Sequence, residues 1–248
     1  MKISIITVCR NSAATIEDTI KSVLSQTYPE VEYLIIDGGS TDGTLEVIDK
    51  YRSQISKVVS ERDNGIYDGM NKGLRLASGE VVGMINADDY YNYPEALQDV
   101  VNCLQQNQSE ACYGDLIYVD RHQKNKIVRR WRPGFYQPAK LKNGWIMPHP
   151  SLFIRKSVYE RWGLFDASFR IAGDYELMLR FLKNGLTVSY LPKFLVCMRE
   201  GGVSGTNLHH RRLGWQELKK AWLMNYRSLP PFFILRRVLF KMHQLLER

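Results

Sequence analysis

Residues 81–89 read Val81-Val82-Gly83-Met84-Ile85-Asn86-Ala87-Asp88-Asp89, an apolar run that stops abruptly at two carboxylates. A short continuous apolar run bounded by polar residues is the pattern of a strand buried on both faces. Three earlier segments repeat it: Lys2–Val8 leads into Thr7–Asn11, Tyr33–Ile36 into Asp37–Asp42, and Val58-Val59 into Glu61–Asp68. Helical patterns alternate with them. Ile16, Ile20, Val23 and Leu24 share one face, with Tyr28-Pro29 as the stop. Leu45–Tyr51 is a short helix, Ile66–Ala77 puts Met70 and Leu74 on one side, and Pro94–Gln106 turns Leu97, Val101 and Leu104 inward. The alternation predicts an α/β fold, a mainly parallel sheet flanked by helices. Ligands of such sheets bind beyond the carboxyl ends of the strands, where all four polar clusters fall.

After Tyr113 the pattern changes. Leu116–Val119 and Ile127–Trp131 read as a hairpin, Trp145–Phe153 is aromatic and proline-rich, Tyr175–Leu182 is a helix and Val188–Leu191 a strand. The 248 residues are 44% hydrophobic and 24% charged, an ordinary globular balance. Cys9, Cys103, Cys112 and Cys197 include no C-x-x-C pair, so neither a zinc knuckle nor a redox dithiol is indicated, and a reducing cytoplasm is expected. The apolar run Ile3–Val8 is too short for a signal peptide, and no stretch is long enough to span a bilayer. The net charge of +8 is uneven: residues 209–248 carry nine Lys/Arg against two Asp/Glu. After Pro230-Pro231, the residues Leu235, Val238, Leu239, Met242, Leu245 and Leu246 fall on one helical face, with Phe232, Phe233 and Phe240 beside it and Arg236, Arg237 and Lys241 toward the other side. Such a helix can lie in the headgroup plane of an anionic membrane, or pack its apolar face on the domain or on a second subunit.

The polar clusters each admit two readings. Asn86-Ala87-Asp88-Asp89 offers hard oxygen ligands suited to Mg²⁺ or Mn²⁺, or forms a capped turn before the next helix. Asp37 can accept a hydrogen bond from a base N–H, with Gly38 and Gly39 letting a ligand approach the backbone, or can shape its own turn. Asp68, Asn71 and Lys72 share a helix face that can read a ribose and steady a diphosphate, or be a solvated face with a local ion pair. Asp174, in Gly173-Asp174-Tyr175-Glu176, is a general base or a helix cap. His149, between Pro148 and Pro150, is a packed loop histidine or a phosphate or metal contact. There is no G-x-G-x-x-G after the first strand and no G-x-x-x-x-G-K-[ST] anywhere, so a dinucleotide oxidoreductase and a P-loop NTPase both lack their phosphate loops.

Taken in order, these motifs resemble family 2 of the glycosyltransferases, inverting enzymes with the GT-A fold. The matching residues are Ser4–Val8 with Asn11, Ile35–Thr44, Asp63–Asp68 with Asn71-Lys72-Gly73, Asn86–Asp89 and Ala172–Glu176, over about residues 1 to 200. The stretch Asp63–Asp68 looks most like the bacterial branch that builds O-antigen and related surface polysaccharides. The resemblance implies a UDP-sugar donor whose uracil meets Asp37 and Gly38, with Thr7, Val8 and Cys9 lining the base and Asn11 alongside. It implies Asp68, Asn71 and Lys72 near the ribose and diphosphate. Asn86, Ala87 and Asp88 would form the D-x-D element, with Asp88 on a Mn²⁺ or Mg²⁺ ion and Asp174 as the base. His149 and Trp145 would stand at the acceptor or a phosphate. Position 86 is Asn where the family often has Asp, and position 173 is Gly where many relatives carry Glu.

The resulting expectation is a metal-assisted hexosyltransferase acting on a lipid-diphosphate-linked glycan, cytoplasmic and peripheral at the inner face of the plasma membrane. Residues 1–205 would form the catalytic domain, split into a nucleotide-sugar half (1–115) and an acceptor half (116–205), followed by a basic helical tail (206–248). The competing readings are a non-catalytic nucleotide-sugar-binding protein, against which Asp88 and Asp174 together argue, and a nucleotidyltransferase. The latter needs a basic glycine-rich loop after the first strand, which Thr7–Ala14 is not. Nucleic acid is not an expected partner, because the tail is strongly apolar between its charges.

Overall fold

A computed structural model of the chain describes residues 1–201, 208–226 and 228–237. The elements run β1 (Ile3–Cys9), α1 (Ile16–Leu24), β2 (Val31–Asp37), α2 (Thr44–Asp49), β3 (Lys57–Ser60), α3 (Ile66–Leu76), β4 (Val81–Met84), β5 (Tyr90–Tyr91), α4 (Ala96–Gln106), β6 (Ala111–Val119), β7 (Ile127–Trp131), α5 (Pro138–Leu141), β8 (Leu152–Arg155), α6 (Lys156–Trp162), α7 (Gly173–Lys183), β9 (Val188–Arg199) and α8 (Leu208–Asn225). The strands form one sheet in the order β3-β2-β1-β4-β8-β6-β9-β5, with β7 on β6. β3, β2, β1 and β4 are mutually parallel. Beyond β4 the sheet is mixed: β8 runs antiparallel to β4 and β6, β7 antiparallel to β6 and β5 antiparallel to β9, while β9 is parallel to β6. The sheet is thus a GT-A-like α/β layer, parallel where the sequence alternates regularly.

The central strands are apolar throughout because helices cover both faces. Side chains alternate across β2: Leu34 and Ile36 join the core under α3, α7 and α8, while Tyr33 and Ile35 join the core under α1, α2 and α4. Four short elements, β5, α5, β8 and α6, escaped the sequence pattern. β8 is only four residues long and follows the proline-rich stretch, and α6 follows it without a break. β9 runs eight residues further than expected, because Pro192 and Lys193 are carried in a bulge where the register against β6 shifts between Gly114 and Asp115.

The boundary drawn at residue 205 separates segments that pack together. Leu218, Ala221, Trp222 and Phe233 lie in the same core as Tyr67, Tyr113 and Leu177. The Trp222 indole N–H donates to the Ser228 carbonyl at 2.7 Å and its ring meets Phe233 at 5.2 Å. Cutting the chain after Ser228 would therefore uncover core as well as remove charge. The expected apolar stripe reaches from Leu235 to Leu246; its part from Val238 onward lies outside the described residues.

One buried carboxylate ties the amino ends of the parallel strands. Glu32, with a side chain 12% exposed, accepts from Lys2 Nζ at 3.0 Å. It also accepts from Ser4 Oγ at 2.5 Å, the Ser78 amide at 2.7 Å and Ser78 Oγ at 2.5 Å. Burial works to raise its pKa, but these hydrogen bonds outweigh it and pull the carboxyl from 4.5 to about 2. Folding favours the ionised form, so its contribution is full above pH 4.5 and is lost as pH falls through about 2. Glu32→Gln is expected to cost about 2 kcal/mol at pH 7. In urea unfolding the deficit should shrink toward pH 3; an equal deficit at both pH values would contradict the assignment.

Candidate active site

The exits of β1 and β2 are sewn together. Asp37 ends β2 and is completely buried. Its Oδ2 accepts from the Gly39 amide at 3.2 Å, the Ser40 amide at 3.0 Å and Ser60 Oγ at 2.6 Å. Its Oδ1 accepts from Ser40 Oγ and, at 3.6 Å, from Cys9 Sγ. Burial pushes its pKa up, and the bonds from Ser40, Ser60 and Cys9 hold it below the ordinary value. Burial and then Asp37 raise the Cys9 thiol, which stays protonated and donates. Asn11, in the left-handed region at φ 50°, donates its amide to Ser40 Oγ at 2.8 Å and accepts from the Thr41 amide at 2.9 Å. Asp42 accepts from the Ala13 amide at 3.1 Å. The two loops form a preset rim.

Not every expected donor contact has a side chain to spend there. Thr7 is buried and its hydroxyl pairs with the Tyr33 hydroxyl at 3.1 Å, so only its backbone can face a ligand. Asn71 is 5% exposed and uses both ends of its amide on one residue, donating to the Phe165 carbonyl at 2.9 Å and accepting from the Phe165 amide at 3.0 Å. It locks α3 to the segment before α7 and, buried as it is, presents little of its amide to a ribose. Lys72 is held by Asp63 at 2.6 Å, Glu61 at 2.9 Å and the Arg62 carbonyl at 3.1 Å. Asp68 accepts from the Asn64 amide at 3.0 Å, shaping the turn into α3. Asp63, the first residue of the Asp63–Asp68 motif, lies at the centre of this rim. Its Oδ2 is 3.0 Å from where a Cβ on Gly38 would stand and 2.9 Å from that of Gly69. A side chain at either glycine would displace the carboxylate.

At the β4 exit, Ala87 is buried and Asn86 Nδ2 donates to Asp89 Oδ2 at 2.9 Å. Asp89 is completely buried; burial first, then the neighbouring Asp88, raises its pKa, and its Oδ1 has no hydrogen-bond partner among the described residues. Arg199, at the end of β9, donates to the Asp88 main-chain carbonyl at 2.6 Å and to Asp18, fixing the turn. The Asp88 side chain is half-buried and makes no hydrogen bond among the described residues, where no cluster of three or more potential metal ligands occurs. One free carboxylate beside an orphaned carboxyl oxygen fits a hard cation that completes its shell with substrate phosphates and water.

Asp174 opens α7. Its Oδ1 accepts from the Tyr175 amide at 2.8 Å and from the Tyr67 hydroxyl at 3.4 Å. Burial drives the Tyr67 phenol well above its ordinary pKa, so it remains a donor. Gly173 explains its own departure from the common pattern: a Cβ there would lie 2.8 Å from the Tyr67 ring. His149 stands near Asp174; burial lowers its pKa and the carboxylate partly opposes this. The pairing of Gly83 with Phe153 places the turn before β8, which holds His149, beside the β4 exit, so Asp88 and Asp174 share one rim of the sheet. Trp145, expected at the acceptor, is instead 1% exposed and donates its indole N–H to the Pro133 carbonyl at 2.6 Å. It is a core residue, because nothing of its ring or its N–H is left to meet a substrate.

Contacts from outside the motifs set the loop before Asp174. Glu217 of α8 is buried and accepts from the amides of Arg170, Ile171 and Ala172 at 2.8, 2.8 and 2.9 Å. Arg170 donates to the Asn64 carbonyl at 2.6 Å, bridging to the turn before α3. Tyr67 lies inside a quoted motif; Glu217 has no local signal, since its partners are more than 40 residues away.

A family model described as glycosyl transferase family 2 matches residues 4–163. A PGL/p-HBAD biosynthesis glycosyltransferase of Mycobacterium tuberculosis is 28% identical over 209 residues, covering 82% of this chain and 79% of that protein. The crystal structure of S. aureus TarS 1-349 in complex with UDP-GlcNAc superposes with a TM-score of 0.70 at 20% identity, over 97% of this chain and 71% of that one. In the longer TarS structure this chain spans 44% of the length. The mannosyltransferase PcManGT from Pyrobaculum calidifontis, in complex with GDP-Man and Mn²⁺, gives 0.68 at 19% identity, over 95% of this chain and 68% of that one.

Proposed function

Since the chain belongs to glycosyl transferase family 2 and is a glycosyltransferase, we propose that it moves a hexose or N-acetylhexosamine from a UDP-sugar to a hydroxyl of a lipid-diphosphate-linked glycan, with inversion at the anomeric carbon, in bacterial surface-polysaccharide or O-antigen synthesis. One observation carries this reading. The loop that begins at Asp63, beside the Gly38 turn, reaches the Asp174 carboxylate through Tyr67. A single short segment thus joins a preset nucleotide rim to a carboxylate able to take a proton. The complex of TarS with UDP-GlcNAc supports uracil as the donor base.

In the proposed reaction Asp174 takes the acceptor hydroxyl proton as that oxygen bonds to the anomeric carbon. The bond to the diphosphate breaks on the opposite face and its electron pair leaves with the phosphate oxygen, so an α-linked donor yields a β-glycoside through an oxocarbenium-like transition state. Asp88 would hold a Mn²⁺ or Mg²⁺ ion, which neutralises charge on the departing diphosphate. Asp37, Gly38 and the Thr7–Cys9 backbone would enclose the base, and Asn11 and Asp42 keep those loops in place. Division of the chain into a donor half (1–115) and an acceptor half (116–205) remains useful for these roles, although one core spans both. The deciding assay incubates the protein with a panel of UDP- and GDP-sugars and lipid-diphosphate acceptors, with product configuration read by NMR. Transfer from GDP-sugars alone would overturn the donor assignment.

The reading also sets the enzyme at the inner face of the plasma membrane. No helix among the described residues is long and apolar enough to cross a bilayer. The outward side of α8 carries Arg211, Arg212, Lys219 and Lys220 with exposed Trp215, Leu223 and Met224, and Phe232 and Leu235 follow, exposed as well. Basic residues interleaved with exposed apolar ones suit an anionic headgroup layer, where each contributes ~1 kcal/mol. Flotation with phosphatidylglycerol liposomes should be salt-sensitive and fall at least roughly tenfold in Arg211→Glu/Lys219→Glu. Unchanged flotation of that variant would remove the membrane from the proposal.

A further inference from the structure

Arg237 is a half-buried cation with donors to spare. Its Nη1 donates to the Gly144 carbonyl at 3.1 Å, and its guanidinium lies over the Tyr175 ring at 4.7 Å. It forms no ion pair with a carboxylate among the described residues, and Nε and Nη2 have no hydrogen-bond acceptor there. Burial lowers its pKa while Tyr175 and Asp174 oppose that, which puts the cation within electrostatic reach of the base. Holding a partly desolvated charge without a counter-ion is costly unless something supplies one.

The seat is built for it. Gly144 has φ +83°, and a Cβ there would fall 2.7 Å from Arg237 Cβ, so only glycine admits this approach. Phe233, 4% exposed, anchors the segment against Trp222, and Arg236 reaches Asn143 Oδ1 at 3.4 Å. The ring under the guanidinium is that of Tyr175, whose hydroxyl is buried and has no hydrogen-bond partner among the described residues. An unspent guanidinium fork and an orphaned hydroxyl, one residue from Asp174, ask for the same kind of guest: an anion with several acceptor oxygens.

We propose that Arg237 and Tyr175, seated on Gly144, form a subsite beside Asp174 for a phosphate or diphosphate group of the acceptor. The inference rests on the proposed transferase reading and deepens it, since the group would orient the acceptor hydroxyl toward the base. The phosphate could belong to a lipid linker or to the glycan itself, and the probes separate these.

Geranyl diphosphate, geraniol and glucose 6-phosphate are titrated calorimetrically into the full chain without metal and with UDP saturating, so that the donor site is filled. UDP is titrated first alone; failure there counts against the donor reading and leaves the comparison between variants intact. Geranyl diphosphate should bind the wild type and weaken about tenfold or more in Arg237→Gln, and less in Tyr175→Phe. UDP affinity should match the wild type in every variant, as should geranyl diphosphate binding in Lys57→Gln, a change at an exposed lysine on β3. Loss of glucose 6-phosphate binding in Arg237→Gln would also support the anion site and point to a phosphorylated glycan; loss confined to geranyl diphosphate points to a lipid linker. Equal binding of geranyl diphosphate to wild type and Arg237→Gln, no binding to the wild type, or equal losses for geraniol would overturn the proposal.

Discussion

Asp174→Asn is expected to bind UDP-sugar as the wild type does and to turn over at least ~100-fold more slowly. The structure makes this substitution unusually clean. Both hydrogen bonds to the Asp174 side chain, from the Tyr175 amide and the Tyr67 hydroxyl, end on Oδ1. An amide oxygen can accept both, so the start of α7 and the Tyr67 link should persist while the capacity to take a proton disappears. Among the described residues neither the Asp37 turn nor Asp63 hydrogen-bonds this carboxylate directly, and the Tyr67 link survives the change, so donor affinity should report intact folding while kcat falls. If the Asn variant transferred sugar at the wild-type rate, Asp174 would be a helix cap and the base would have to be found elsewhere on the rim.

Asp88→Ala should come close to abolishing transfer, and excess chelator should do the same to the wild type, with Mn²⁺ or Mg²⁺ restoring it. Neutralising a leaving diphosphate is worth several kcal/mol of barrier, so this loss should rival that at Asp174. Stability should barely change. Arg199 grips the Asp88 main-chain carbonyl rather than its carboxylate, and that bond survives truncation to alanine. A thermal melt matching the wild type beside a dead enzyme is therefore the expected pair of results. Undiminished transfer in excess EDTA would falsify the metal assignment.

The parallel half of the fold was legible because strands buried on both faces must be apolar throughout and must end where the chain meets water. That places the clusters after β1, β2 and β4 correctly without any knowledge of tertiary contacts. The same logic cannot say how each polar side chain is spent. Asn71 and Lys72 share a helix face as their spacing requires, yet one is consumed by a backbone 94 residues away and the other by Asp63 and Glu61. Trp145 lay in a stretch whose aromatic content suits a sugar platform and a core equally well, and only its burial separates the two. β8 was hidden because three apolar residues and an arginine in a mixed sheet carry no period to detect. Helical spacing puts Arg237 toward the side opposite the apolar stripe and gives no hint that the chain folds back onto Gly144.

The locks between the nucleotide rim and the base loop share a property. Asn71 grips the amide and carbonyl of Phe165, Arg170 the carbonyl of Asn64, and Glu217 three successive amides. Each partner is a main-chain atom: every residue type supplies the carbonyls, and every type except proline the amides. Mutational drift at positions 64, 165, 171 and 172 can therefore replace side chains without loosening these grips, whereas drift at Asn71, Arg170 and Glu217 cannot. A lineage built this way can diversify what it glycosylates while these two loops stay in register, and laboratory recombination of the segments around them should be tolerated wherever those three side chains are kept and no proline enters positions 165, 171 or 172.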